Sequence, residues 1–146
     1  MAAPGFVGFR ALAEHPWAWP ALEAVHIAGI ALLVGSLVLL ELRVWGAAPE
    51  LPVVALARLA LAVTAVGFAL VLLTGLAMFS ARPLELLANG AFVLKMGIVM
   101  LAGLNAAWFH ARGGLSRLDT LARAQTVLSL GLWLGVIILG RWIAYL

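Results

Sequence analysis

Three side chains in this sequence combine chemical capability with unusual surroundings: His26, Lys95 and Arg141, each set within or at the end of a long apolar run. An ionisable group inside an apolar segment long enough to cross a bilayer costs a few kcal/mol on insertion scales, so each marks a candidate functional position. Glu23 stands one turn before His26 on nearly the same helical face. Thr74, Met78 and Met96 add a hydroxyl and two soft sulfurs at comparable depth. Imidazole supplies a metal ligand or a proton acceptor near neutral pH. A lysine and an arginine beside it supply fixed positive charge for an anionic group. Paired acids for hydrolysis are missing, because Glu23 and Glu41 stand at opposite ends of one helix. Ser36, Ser80, Ser116 and Ser129 have no histidine and carboxylate at spacings that would form a nucleophilic triad, and no glycine-rich phosphate loop is present.

The elements that must position these groups are membrane-spanning helices. Apolar residues make up 66% of the 146 and charged residues 10%, against roughly half and a quarter in a soluble domain. A hydrocarbon core of roughly 30 Å needs about 20 largely apolar residues per helix. Four stretches meet that requirement, at about 20–45, 59–79, 89–109 and 122–145, and they account for most of one domain of residues 1–146. The expected fold is therefore all-α: an integral membrane four-helix bundle preceded by a short interfacial helix over 5–18, in the stretch Phe6 to Trp19 where apolar and polar residues mix with two tryptophans. The first apolar run begins too late, after Arg10, Glu14 and His15, for a cleaved secretory signal. Breaks fall at Ala47 to Pro52, at Arg82-Pro83 and at Gly113-Gly114, and such short connections make consecutive helices antiparallel neighbours. Ser116 and Asp119 suggest a capping box at the start of the fourth helix.

Charge and composition remove further classes. The absence of cysteine excludes disulfides, thiolate metal sites and iron–sulfur clusters. The formal charge of +3 reads as an orientation signal, and with no basic stripe interleaved with aromatics no nucleic-acid partner is expected. Arg43, Arg58, Arg112, Arg117 and Arg123 flank the first and third connections, against Arg10 and Arg82 on the other side. The expectation is a multi-pass protein of the bacterial inner membrane with both termini periplasmic. Trp17, Trp19, Trp142 and Tyr145 then form an outer aromatic belt, and His26, Lys95 and Arg141 share a layer in the outer half. Gly29, Ser36, Gly67, Gly75 and Gly131-x-x-x-Gly135 are expected at helix contacts; the last pair would serve a homo-oligomer equally well.

Helix one, with Leu22-Glu23-Ala24-Val25-His26-Ile27-Ala28-Gly29 leading to Gly35 and Leu42-Arg43, resembles the histidine-bearing first helix of two related groups. These are the copper resistance protein D-like membrane domains and the HemJ-type protoporphyrinogen oxidases. Helix three, with Asn89-Gly90-Ala91-Phe92-Val93-Leu94-Lys95 followed by Asn105, is similar to their lysine-bearing helix. The resemblance implies a bundle like that of b-type cytochromes, in which His26 matches the haem-associated histidine and Lys95 the family lysine. HemJ-type proteins carry a second histidine further along helix three, where this chain has Asn105 and, a turn later, His110. The implied function is a haem b membrane redox protein, enzymatic or purely electron-transferring. His26 would ligate iron, Lys95 and Arg141 would neutralise propionates, Glu23 would stand alongside, and quinone or a periplasmic redox partner would exchange electrons. The alternative implied by the copper resistance group is Cu(I) on His26, Met78 and Met96. A further alternative is a cofactor-free small transporter or assembly subunit, in which His26, Lys95 and Glu23 form a buried ion-pair network.

Overall fold

The computed structural model describes residues 14–145. Among them are six helices and no strand: α1 Ala18–Val44, α2 Val53–Ala81, α3 Pro83–Ala88, α4 Gly90–Ala111, α5 Gly114–Arg117 and α6 Thr120–Trp142. The four long helices, α1, α2, α4 and α6, are each long and apolar enough to cross a membrane. The fold is an all-α four-helix bundle.

The distribution of side-chain sizes is that of a protein solvated by lipid. Six of the twelve buried apolar residues are alanine, whereas Leu59, Leu73, Met100 and Leu104 are about two-thirds exposed on the bundle's surface. Lipid is as apolar as leucine, so large side chains gain little by turning inward, and small ones face neighbouring helices because they allow close approach.

Two hairpins make up the bundle. α1 packs along α2, α4 packs along α6, and the hairpins meet chiefly through α1 and α6. The α1–α2 seam runs antiparallel from His26 beside Thr74, through Gly29 beside Gly67 and Ser36 beside Thr64 at 2.7 Å, to Leu40 against Ala57 and Ala60. Gly67 is the point of closest backbone approach. A Cβ built there would lie 2.6 Å from the Leu33 nitrogen and 2.7 Å from the Gly29 oxygen. Gly131, by contrast, has nothing within 4 Å of its Cβ position, and Gly135 meets only Ile98 at 3.7 Å. Within the bundle, the Gly131-x-x-x-Gly135 pair is therefore not a backbone crossing.

Helix limits differ from the apolar runs for identifiable reasons. α2 begins at Val53, after Pro52, rather than at 59, because Arg58 sits exposed on the helix and interrupts hydropathy without interrupting hydrogen bonding. α6 begins at Thr120, capped by Asp119, whose carboxylate accepts the Ala122 N–H at 2.8 Å. Ser116 does not cap it; it belongs to α5 and donates to the Gly113 carbonyl. The turn before α5 places Gly113 at φ 70°, a left-handed conformation that glycine adopts without Cβ strain. Of the expected interfacial segment 5–18, residues 5–13 lie outside the described residues; Trp17, which precedes α1, is 79% exposed.

The bundle has two distinguishable ends. The Arg82 end holds the start of α1, the α2–α4 junction and the end of α6, tied by Asn89 Nδ2 donating to the Ile143 carbonyl. The Arg112 end holds the α1–α2 loop and the α4–α6 connection, tied by Arg112 donating to both oxygens of Asp119 at 2.6 and 3.3 Å.

Candidate functional site

Near the Arg82 end, His26 of α1 is half-buried and turned toward α2. Gly75 leaves room for the ring: a Cβ at that position would lie 3.5 Å from His26 Cε1. Thr74 fixes how the ring is used. Its Oγ1 lies 2.6 Å from the Leu70 carbonyl and 2.8 Å from His26 Nδ1. A hydroxyl has one proton, and the carbonyl can only accept, so that proton goes to Leu70. His26 Nδ1 must then be the donor to Thr74, and the neutral imidazole keeps its lone pair on Nε2. A histidine whose Nδ1–H is anchored in this way is the arrangement that metal-ligating histidines use to set ring orientation.

Lys95 of α4 joins this layer. Its Nζ lies 3.5 Å from the Cβ position of Gly140 on α6, so the absence of a side chain at 140 lets the ammonium lie against the neighbouring helix. His26 thus meets Thr74 and Gly75 across the α1–α2 contact, and Lys95 meets Gly140 across the α4–α6 contact.

Other expected members are directed elsewhere. Arg141 is exposed and donates to Tyr145 Oη at 2.6 Å, its guanidinium 5.0 Å from the ring centroid. Glu23, also exposed, accepts from Trp19 Nε1 at 2.9 Å. Both side chains are long and each has an aromatic partner four residues away in the chain, which satisfies it locally. Met96 is 43% exposed on the bundle's surface, as expected for the residue adjacent to an inward-turned Lys95; Met78 is half-buried on α2. Among the described residues no group of three or more His, Cys, Asp or Glu comes together to hold a metal ion.

A second polar layer lies toward the Arg112 end, and sequence reasoning missed it. Glu41 of α1, Asn105 of α4 and Gln125 and Thr126 of α6 are 4%, 8%, 3% and 7% exposed. Together with Ser129 and the rim residue His110 they line a cavity of about 50 Å³, which is large enough for water or a small ion. Asn105 Nδ2 donates to the Gln125 carbonyl at 2.9 Å. Thr126 Oγ1 accepts from Trp45 Nε1 at 2.7 Å. Four of the five buried side-chain atoms without a hydrogen-bond partner among the described residues belong to this layer, Glu41 Oε2, Asn105 Oδ1 and both Oε1 and Nε2 of Gln125; the fifth is Arg112 Nε. Gln125 and Ser129, one turn apart on one face of α6, were the signal in the sequence; the antiparallel register then brings Asn105 opposite.

No protein-family model matches this chain, and comparison with curated proteins and with solved structures gives no match either.

Proposed function

We propose that this protein is a haem b-binding membrane redox protein whose iron ligand is His26. The observation that carries the reading is the 2.8 Å contact of His26 Nδ1 with Thr74 Oγ1, whose own proton is directed to the Leu70 carbonyl; this favours the tautomer that leaves Nε2 available as a ligand nitrogen and holds the ring in one orientation. Lys95, the other inward-turned ionisable group of the layer, supplies a positive charge suited to a propionate carboxylate. When bound, haem b would supply one-electron chemistry. The protein's own contribution is to orient the imidazole, to offer the ammonium, and to keep both between apolar helices.

Copper is the weaker reading. The same imidazole nitrogen would serve Cu(I), with Met78 as a soft donor, but Lys95 would repel a cation and Met96 faces the bundle's surface. A cofactor-free network of His26, Lys95 and Glu23 is disfavoured because Glu23 is taken by Trp19. With the arginine-rich end in the cytoplasm, the His26 layer faces the periplasm of a bacterial inner membrane, within reach of quinone or a periplasmic redox partner.

The test is the visible spectrum of detergent-purified protein, as isolated, after haem reconstitution and after dithionite reduction. A Soret band with α and β bands on reduction, present in the wild type and lost in His26→Ala, is expected. A featureless reconstituted spectrum, or an unchanged one in the variant, overturns the assignment.

A further inference from the structure

The Glu41 layer is independent of the His26 layer and has a different chemical character. Its unsatisfied atoms are three acceptor oxygens and a single amide donor: Glu41 Oε2, Asn105 Oδ1 and Gln125 Oε1 against Gln125 Nε2. All three residues are more than nine-tenths buried and line one cavity of about 50 Å³. Ser129 lines the same cavity from α6. Buried polar atoms without partners are costly, about 1–3 kcal/mol each, and a surplus of acceptors is satisfied by a cation.

We propose that Glu41, Asn105, Gln125 and Ser129 form a binding site for a small monovalent cation, sodium, which exchanges with a proton on the Glu41 carboxylate. The donor set is hard oxygen, as sodium requires. The charge also matches: one carboxylate balances one positive charge, and among the described residues no group of three or more His, Cys, Asp or Glu gathers here to neutralise a divalent ion. An anion is excluded by the same surplus of oxygens. When sodium leaves, a proton on Glu41 restores neutrality and supplies the donor that the neighbouring amide oxygens lack.

The surrounding charges leave the cavity free for a cation. On α1, Arg43 donates to the carbonyls of Leu51 and Pro49; α2 contributes Leu61 to the lining, and its Arg58 is exposed. On α4, Arg112 is held by Asp119, and His110 stands exposed at the rim. On α6, Arg123 is exposed. Glu41 and His110 are thus the titratable groups of the lining, of which His110 is exposed.

The experiment is a tryptophan-fluorescence melt of the full chain in detergent, titrated with sodium, potassium or choline chloride at matched ionic strength. Trp45, bonded to Thr126 beside Gln125, is a local reporter. Sodium is expected to raise the melting temperature saturably, potassium less and choline not at all. The sodium response should shrink from mildly alkaline to mildly acidic pH as protons compete for Glu41, survive in His110→Asn, and vanish in Glu41→Gln. Should Glu41→Gln fail to fold, Gln125→Leu and Ser129→Ala are expected to weaken the sodium midpoint about tenfold or more. Equal responses to all three salts would mean a water-filled cavity and would overturn the site. So would a sodium midpoint unchanged in Glu41→Gln or, where that variant does not fold, in both α6 variants.

Discussion

The two polar layers of this bundle are built from similar materials and differ in how their hydrogen bonds end. At the His26 layer the chain of donors is closed: imidazole to Thr74, Thr74 to the Leu70 carbonyl. At the Glu41 layer it is open, with four buried atoms unpartnered around a cavity. A closed chain fixes one side chain in one orientation and leaves a single nitrogen exposed to whatever binds. An open chain fixes nothing until a ligand arrives, and it suits an exchangeable ion better than a held cofactor.

The sharpest way to break that contrast is to remove one member of each layer and measure cofactor content. His26→Ala is expected to abolish haem retention while the protein still inserts and folds. Glu41→Gln should retain the full Soret band, and a loss in both variants would mean that the layers are a single site. A graded test follows with Thr74→Val, which removes the acceptor for Nδ1–H but keeps the side-chain shape. Haem affinity should fall by about 10- to 100-fold, measured by reconstitution titration. An unchanged affinity would mean that the ring is oriented by Gly75 and packing alone.

Between the layers stands the Gly67 crossing. Gly67→Ala puts a methyl group 2.6 Å from backbone nitrogen, where no flexible side chain can yield, so α1 and α2 must separate. The expected cost is about 1–3 kcal/mol, read as a lower thermal midpoint and a weaker His26–Thr74 contact. Gly131→Ala, with nothing within 4 Å, should be neutral.

The spans were legible in the sequence because membrane burial leaves a strong signature of about twenty apolar residues, and His26 and Lys95 stood out as ionisable groups where none is cheap. What stayed hidden depended on partners. Arg141 and Glu23 are each claimed by an aromatic residue four positions away, because a long side chain near a helix end has local options that depth alone does not reveal. Glu41 entered the sequence reading only as an acid at the opposite end of a helix from Glu23, and Asn105 only as the residue standing where a histidine would be. Only the register of α4 against α6, set by packing, brings Gln125 to them. The limits of α2 were missed because hydropathy reports contact with lipid, whereas a helix continues wherever its backbone bonds do.

The smallest expected effect tests the ends of the two hairpin contacts. α4 is capped by Asn89, whose side chain accepts from Phe92 N–H and does not titrate. α6 is capped by Asp119, which does. The Ala122 N–H bonded to Asp119 holds its carboxyl below the ordinary carboxylate range, and Arg112 adds to this. A carboxylate whose folded value is depressed contributes stability that is present above its unfolded value and lost as pH falls through the folded one. Acidification through that range should therefore speed amide exchange in the first turn of α6, below the Glu41 layer, and leave the first turn of α4, at the His26 end, unaffected. Asp119→Asn retains a capping oxygen but no charge for Arg112. In that variant the α6 turn should exchange slightly faster at neutral pH and no longer respond to acid. An acid response that persists in Asp119→Asn would assign the loosening to Glu41 instead, and would tie the stability of the Arg112 end to the open layer rather than to its cap.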